Sequence, residues 1–259
     1  MLADLVCVPG REHPVIDLAS PGRPNGAAIF FVHGGGWQEG SRRQWHALME
    51  HFAGLGYMCA STSYRFAPAH RFPAQFEDVR LGFSWFRKRA EEYGFDARRI
   101  ASWGSSAGAY LAALLAVVSP DDPLGAAGGL PVRDTVPAAV VCLCGVLTAF
   151  RYTEHDDIPR MLADFLGTDE SRDPELVRRA SPFERVRGGE PPFLMIVGDA
   201  DLTTPVALHE RMRDRLAACG GTGELHVLPG VEHGFGYGVS SPAQQCTIEL
   251  AAGFLRRWL

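Results

Sequence analysis

The 259-residue sequence predicts an α/β fold, with a mostly parallel central sheet and helices on both of its faces. Two features predict it: short apolar segments rich in β-branched and aromatic residues recur along the chain, and longer segments with helical periodicity separate them. This alternation is typical of a parallel sheet, because each helix connects one strand to the next. The predicted strands are residues 27–32, 57–64, 99–103, 138–144, 192–198 and 224–229. The predicted helices are residues 42–54, 73–93, 107–118, 204–219 and 243–258.

The predicted strands are almost continuously apolar, as in "AAIFFV" at 27–32, and this composition is typical of strands buried on both faces. Among the predicted helices, 73–93 has the clearest periodicity, because Phe76, Val79 and Phe83 share one face. Both patterns favour a sheet that is covered on each side.

One interval interrupts the alternation. About 47 residues separate the strand ending near Cys144 from the strand starting at Pro192, which is more than a usual crossover needs. The run "IPRMLADFLG" within this interval predicts short helices. We therefore expect residues 146–190 to form a small insertion above the carboxyl edge of the sheet, where α/β proteins bind ligands. No linker or repeat divides the chain, so we expect residues 1–259 to form a single domain.

Composition and charge disfavour several classes of partner. The net charge is −5 and the sequence pI is near 6.0, so nothing favours binding to nucleic acid or to an anionic membrane. The sequence has no run of about 18 apolar residues that could span a membrane, and its first residues do not resemble a signal peptide. We therefore expect a cytoplasmic protein.

The cysteines are scattered, without a CxxC pair or a zinc-finger spacing. In "AAVVCLCGV", alternation predicts that Cys142 and Cys144 face the same side of a buried strand. We interpret the cysteines as small core residues and predict neither a metal site nor a redox site. The six are Cys7, Cys59, Cys142, Cys144, Cys219 and Cys246.

The segment "GSSAG" at 104–108 fits the pattern G-x-S-x-G, with Ser106 at its centre. A predicted strand precedes it and a predicted helix follows it. In this context the serine sits on a sharp strand-to-helix turn, where its hydroxyl is exposed above a helix N-terminus that favours developing negative charge. The alternative interpretation is a serine that caps an ordinary helix.

A serine hydroxyl needs a base that takes its proton, and the base needs an acceptor that orients it. In this architecture the chain order is Ser, Asp or Glu, then His. His233 follows the last predicted strand and has this order. Asp199 and Asp201 follow the preceding strand; we favour Asp201, because Asp199 directly follows the strand's terminal Gly198 and is better placed to brace the turn. Of the other histidines, His46, His51 and His209 fall on predicted helices, His226 lies in a strand, and His13, His70 and His155 lie in polar segments.

The segment "HGGGW" at 33–37 follows the first predicted strand. Acyl transfer places negative charge on an oxygen, and backbone N–H groups near the nucleophile can stabilise it. Gly35 and Gly36 lack side chains that would block such an approach, and the N–H of Ala107 follows the nucleophile. We expect His33 to brace this segment, while Trp37 either lines the acyl pocket or packs in the core.

Five motifs occur in the order "HGGGW", "YRFAPAHRFPAQFEDVR", "WGSSAGAYLAALLA", "GDADLTTP" and "EHGF". Together they resemble the α/β-hydrolase superfamily, and within it the carboxylesterases of the hormone-sensitive-lipase-like branch, including small bacterial feruloyl and acetyl-xylan esterases. From about residue 27 to the end, the resemblance implies an α/β-hydrolase fold and hydrolysis of short-chain or small aromatic esters through an acyl-enzyme, without metal or cofactor. It implies Ser106 as nucleophile, His233 as base, Asp201 as orienting acid, and Gly35, Gly36 and Ala107 as oxyanion donors.

The same resemblance implies structural roles for Tyr64, Arg65 and Asp78. Only some 26 residues precede the first predicted strand, so we expect no long N-terminal cap and an open pocket roofed by 146–190.

The segments "FFVHGGGWQEGS" and "SAGAYLAA" also resemble arylformamidases, which hydrolyse N-formylkynurenine. Two further alternatives remain open: an enzyme that forms lactones or transfers acyl groups, and a non-catalytic binding protein.

Overall fold

In the computed structural model, which describes residues 1–152 and 157–259, the strands form one eight-stranded sheet in the order β1-β2-β4-β3-β5-β6-β7-β8. Strands β3 to β8 run parallel, whereas β2 is antiparallel to both β1 and β4. Residues 153–156 lie outside the described residues, and they include His155 and part of the expected insertion. The strands are β1 (Leu2–Val6), β2 (Val15–Ala19), β3 (Ala28–Val32), β4 (Met58–Thr62), β5 (Ile100–Ser105), β6 (Ala139–Leu143), β7 (Phe193–Gly198) and β8 (Gly223–Leu228).

Helices connect the parallel strands as the sequence predicts. The predicted helix 42–54 begins as a 3₁₀ helix, the predicted helix 73–93 is divided into two, and the other three are confirmed with small differences at their ends. Short 3₁₀ helices span Arg42–Trp45, Pro123–Gly129, Val132–Asp134 and Phe235–Tyr237. The α-helices are α1 (His46–Gly54), α2 (Ala74–Arg87), α3 (Ala90–Tyr93), α4 (Ala107–Val117), α5 (Asp157–Leu166), α6 (Pro174–Ala180), α7 (Pro182–Arg185), α8 (Val206–Ala218) and α9 (Pro242–Trp258). Within the described parts of the chain, no helix has the length and apolar character to cross a membrane.

The sheet separates two hydrophobic cores. Phe30 and Phe31 are neighbours on β3 and both are fully buried, but they face opposite sides. The ring of Phe30 meets Phe83 of α2 at 5.2 Å between centroids, and that of Phe31 meets Trp45 at the same distance. Both faces of the strand therefore pack against helices, which explains its continuous apolar sequence and confirms the predicted covering on each side.

The sequence prediction missed β1 and β2, which lie before the first predicted strand. Most of β1 is exposed, and β2 ("VIDLA") carries a charged residue, Asp17, at its centre. The side chain of Asp17 is fully buried, and it accepts hydrogen bonds from Arg42 Nε at 2.9 Å and His46 Nε2 at 2.8 Å. These partners are distant in sequence, so a local hydrophobic pattern could not reveal a buried strand here.

The prediction that Cys142 and Cys144 share one face is wrong. Strand β6 ends at Leu143, and Cys144 has a φ of 38°, so the alternation of side chains stops between the two cysteines. Cys142 packs in the core that contains α4, where its thiol donates to the carbonyl of Ala109 at 3.8 Å. Cys144 belongs to the opposite core, and its Sγ lies 3.5 Å from Ser105 Oγ.

The short helices expected between β6 and β7 are present as α5, α6 and α7. Helix α5 lies beside the "HGGGW" segment. Its Phe165 stacks on Trp37 with 4.2 Å between ring centroids, and its Met161 sulfur lies so close to Gly36 that a Cβ there would meet it at 2.6 Å. The interval therefore contributes side chains next to the glycines that the sequence singled out.

Candidate active site

Residues 104–108, which we call the nucleophile turn, join β5 to α4. Ser106 has φ and ψ of 53° and −121°, a conformation that side chains rarely adopt and that often occurs at functional sites. The glycines on either side are required by backbone packing. A Cβ at Gly104 would lie 2.2 Å from the carbonyl oxygen of Gly108, and one at Gly108 would lie 2.2 Å from that of Val32.

Ser106 precedes α4 in the N-cap position, but its side chain makes no capping hydrogen bond. Its Oγ instead lies 2.9 Å from Nε2 of His233, which is on the loop after β8. On the other side of the ring, Nδ1 of His233 lies 2.8 Å from Oδ2 of Asp201. The structure thus brings together the three side chains that the sequence selected from three different strand ends, and the N-cap interpretation lacks its hydrogen bond.

Asp201 is only 3 % exposed and is surrounded by donors. The backbone N–H groups of Thr203 and Thr204 donate to its Oδ1 at 2.9 Å and 2.7 Å, and the Thr204 hydroxyl donates to Oδ2 at 2.9 Å. Burial alone would raise the pKa of Asp201, but the hydrogen bonds from His233 and Thr204 outweigh it and hold this pKa below its ordinary value. Asp201 is therefore a charged acceptor that fixes the imidazole ring.

Asp199 has a different role. Its Oδ1 accepts a hydrogen bond from the N–H of Gly230 at 2.6 Å, which ties the end of β7 to the loop after β8. This loop carries His233. The prediction that Asp199 braces its own turn is wrong in the partner: the backbone group that it holds belongs to the loop after β8.

The protonated form of His233 is stabilised by its surroundings. Burial alone would lower the pKa of His233, but the hydrogen bond to Asp201 and the neighbouring Cys144 outweigh it and raise this pKa above its ordinary value. An imidazole with a raised pKa at this position could accept a proton from Ser106 Oγ, hold it and give it to another group.

Residues 33–40, which we call the glycine loop, follow β3 and face the nucleophile turn. Gly35 and Gly36 have φ values of 109° and 58°, and Trp37 also has a positive φ. A Cβ at Gly35 would lie 2.3 Å from the carbonyl oxygen of Glu39, so only glycine fits there. Ala107 is the first residue of α4, where a helix has no internal acceptor for the N–H group. Gly35, Gly36 and Ala107 line the same cavity as Ser106.

His33 braces the glycine loop as expected. Its Nδ1 donates to the carbonyl of Gly34 at 2.8 Å, and its ring stacks on Tyr64 with 4.3 Å between centroids. Burial lowers the pKa of His33 to about 4, so its ring is neutral near pH 7. The Tyr64 hydroxyl donates to the carbonyl of His33 at 3.0 Å, and the adjacent Arg65 donates through its backbone N–H and its Nε to Asp78.

Residues 16–216 match the family model described as BD-FAE. The chain belongs to the BD-FAE family. This match covers most of the sheet, the glycine loop, the nucleophile turn and Asp201, whereas His233 lies beyond its end. The α/β-hydrolase fold follows from the structural comparisons below.

Among its relatives, this BD-FAE chain is similar to two esterases of Mycobacterium tuberculosis. It is 37% identical to Esterase LipC over 217 residues, which are 80% of this chain and 52% of LipC. It is 31% identical to Esterase LipQ over 245 residues, which are 90% of this chain and 57% of LipQ. The chain therefore spans only about half the length of these relatives.

The fold is also found in solved esterase structures. Esterase 2 of Thermogutta terrifontis phosphonylated by sarin has a TM-score of 0.80 and 27% identity, with 98% of this chain and 93% of that chain covered. The propionate-bound form of the same esterase has a TM-score of 0.79 and 26% identity, with 99% and 93% covered. Both comparisons extend over almost the whole of each chain, and they confirm the α/β-hydrolase fold.

The active-site candidate of this BD-FAE member opens into a cavity of about 650 Å³. Trp37 both lines this cavity and packs in the core, which are the two positions that the sequence allowed. Its side chain packs on Tyr110 and Phe165, and the residue is only 2 % exposed. The described lining residues include two acids, Glu39 and Asp157, and no lysine or arginine. We therefore expect the cavity to disfavour anionic ligands.

Sequence reasoning missed two residues that connect the parts of the site. The Tyr237 hydroxyl accepts a hydrogen bond from the N–H of Gly34 at 2.7 Å, so the loop that carries His233 also holds the glycine loop. Cys144 lies beside Asp201 and His233, and the metal-binding atoms of the three side chains all lie within 4.8 Å of one another. Tyr237 is four positions after His233 in "EHGFGY", which is the only sequence signal for it.

Proposed function

We propose that this protein is a carboxylesterase that hydrolyses small, uncharged esters through an acyl-enzyme on Ser106. The observation that carries the proposal is the pair of hydrogen bonds on His233, 2.9 Å to Ser106 Oγ and 2.8 Å to Asp201 Oδ2. This arrangement can remove the serine proton and stabilise the resulting imidazolium. Relatives along most of this chain are named as esterases, which supports the same activity.

In the proposed reaction, Ser106 Oγ attacks the ester carbonyl while His233 Nε2 takes its proton. The negative charge that forms on the carbonyl oxygen is stabilised by the N–H groups of Gly35, Gly36 and Ala107. His233 then gives its proton to the departing alcohol, which leaves the acyl group on Ser106. A water molecule repeats these steps and releases the acid.

The cavity and the similar solved structures support the proposed substrate class. Glu39 and Asp157 at the cavity disfavour anionic esters by charge repulsion. Solved structures of the Thermogutta terrifontis esterase hold propionate or butyrate, so we propose short acyl groups for this chain. No observation favours a formamide substrate over an ester, and none favours acyl transfer over hydrolysis.

The direct test is hydrolysis of p-nitrophenyl acetate and p-nitrophenyl butyrate by the purified protein. Ser106→Ala should lower kcat by at least about 10⁴-fold, because the acyl-enzyme cannot form. Circular dichroism and thermal melting should show that this variant is folded. Paraoxon, which phosphorylates the Thermogutta esterase, should add one diethylphosphoryl group to the unmodified chain and none to Ser106→Ala, as measured by intact mass.

Two results would count against the proposal. Comparable hydrolysis by Ser106→Ala would exclude this serine as the nucleophile. A kcat/KM for N-formylkynurenine well above that for the nitrophenyl esters would assign the site to formamides instead.

A further inference from the structure

Cys144 occupies a position behind the proposed triad that the reaction does not use. It follows β6, is fully buried, and has a φ of 38°, which is uncommon for any residue except glycine. Because of this turn, its thiol lies on the side of the triad and not on the side of Cys142. The thiol has Ser105 Oγ as a neighbour at 3.5 Å, an ordinary distance for a hydrogen bond that involves sulfur.

The side chains around this thiol form a set of metal ligands. The ligand atoms of Cys144, Asp201 and His233 all lie within 4.8 Å of one another. Thiolate, imidazole and carboxylate are the groups that bind Zn²⁺ in proteins, at about 2.0–2.3 Å, so that ligand atoms lie about 3.5 Å apart around the ion. In the structure, Nδ1 of His233 and Oδ2 of Asp201 lie 2.8 Å apart, and no pair of the three ligand atoms is more than 4.8 Å apart, so these separations bracket the value that zinc needs.

One of the three ligands can be reached from the cavity, whereas Cys144 and Asp201 are buried and do not line it. The side chain of His233 is 25% exposed and lines the cavity of about 650 Å³. Three protein ligands would leave the fourth position of a tetrahedral zinc ion to water or chloride. We propose that Cys144, Asp201 and His233 form an inhibitory site for Zn²⁺ or another thiophilic divalent cation.

Inhibition rests on the proposed role of His233 as the base. When the ion binds, the Cys144 thiol releases its proton to solvent and a metal–sulfur bond forms. If the ion takes Nδ1 of His233, the proton on that nitrogen moves to Nε2, so the ring has no free lone pair to accept the Ser106 proton. If it takes Nε2, it occupies the lone pair that would accept the Ser106 proton. In either case the ring can no longer act as a base toward Ser106.

The first experiment measures inhibition of p-nitrophenyl butyrate hydrolysis by Zn²⁺ in metal-free buffer, with reversal by EDTA. We expect the inhibition constant to rise at least tenfold in Cys144→Ala and in Cys144→Ser, each compared with its own activity without zinc. The matched control is Cys142→Ala, two residues away on the same chain segment and equally buried. It should keep the inhibition constant of the unmodified protein. Equal inhibition of all these variants would overturn the proposal.

The second experiment detects the site without relying on hydrolysis. Co²⁺ bound to a thiolate gives a near-ultraviolet charge-transfer absorption band, and this band should appear in Ser106→Ala and in Cys142→Ala but not in Cys144→Ser. Absence of the band in Ser106→Ala would refute the metal site even if the esterase activity is real. Its presence in a protein that fails to hydrolyse esters would support the site and count against the proposed function.

Discussion

The nucleophile turn and the glycine loop face each other across the site, but different forces hold them. In the nucleophile turn, main chain packs on main chain: Gly104 touches Gly108, and Gly108 touches the end of β3. In the glycine loop, close backbone packing is confined to the loop itself, as between Gly35 and Glu39, and side chains from elsewhere, including Tyr64 and Tyr237, hold the loop in place. Close backbone packing tolerates no added atom, whereas a single side-chain hydrogen bond contributes only about 0.5–1.5 kcal/mol. We therefore expect substitutions in the nucleophile turn to lower mainly stability, and substitutions in the glycine loop to lower mainly activity.

The largest effect is expected in the nucleophile turn. In Gly108→Ala, the new Cβ would lie 2.2 Å from the carbonyl oxygen of Val32, so β3 and α4 must separate. We expect the free energy of unfolding to fall by more than about 3 kcal/mol, as for other severe core changes. Urea denaturation measures this loss.

The matched control for Gly108 is Gly54 at the end of α1, where an added Cβ meets no atom within 4 Å. Gly54→Ala should leave the unfolding free energy unchanged or raise it slightly, because alanine favours helix. Similar stability of the two variants would show that backbone packing does not hold the nucleophile turn.

In the glycine loop, Gly35→Ala should reduce activity more than stability. The added Cβ would lie 2.3 Å from the Glu39 carbonyl oxygen, so the loop must change its path and move the proposed oxyanion donors. Loss of one such donor typically lowers kcat by about 10²–10³-fold. Steady-state kinetics and thermal melting on the same preparation measure both effects.

Gly36→Ala provides the comparison, because the atom that its Cβ would meet is the flexible sulfur of Met161. Its kcat should fall less than that of Gly35→Ala, although its positive φ still disfavours alanine. A loss of stability in Gly35→Ala as large as that in Gly108→Ala would remove the distinction between the two regions.

The same difference explains what the sequence could predict. Ser106 and its glycines form a contiguous motif between a strand and a helix, so local sequence was enough to predict the position of the turn. The positions of Asp201 and His233 followed from strand ends that meet at one edge of a parallel sheet. Strand β2 could not be predicted, because burial of its Asp17 depends on hydrogen bonds from Arg42 and His46, which are distant in sequence.

The links that hold the glycine loop were equally hidden from local patterns. Gly34 and Tyr237 are separated by 203 positions, and no spacing rule connects them. The same holds for Cys144, where one positive φ reversed the face that strand alternation predicts. Sequence patterns therefore located the groups proposed to react, and the structure was needed to find what positions them.

Tyr237→Phe tests one of these long-range links. Its hydroxyl accepts the Gly34 N–H at 2.7 Å, and phenylalanine removes this acceptor while keeping the ring beside Trp45. We expect kcat to fall by up to about tenfold, which corresponds to the net energy of one hydrogen bond, with KM nearly unchanged. Tyr57→Phe, in a buried tyrosine that packs on Phe52, should leave kcat unaltered. Equal kinetics of the two variants would show that Tyr237 does not position the glycine loop.

The smallest effect distinguishes two histidines: His33 in the glycine loop and His233 on the loop after β8. His33 in the glycine loop has a pKa lowered to about 4 by burial, so it is neutral throughout the range from pH 5 to 9. Burial also opposes the charge on His233, but Asp201 and Cys144 outweigh it and raise the pKa of His233. A base must be unprotonated to accept the Ser106 proton, so kcat/KM should rise with pH as His233 loses its proton. Since the shift is upward, the midpoint of this rise should lie above the ordinary histidine value of about 6.5. A pH–rate profile with p-nitrophenyl acetate measures it, and a midpoint near 4 would instead point to His33.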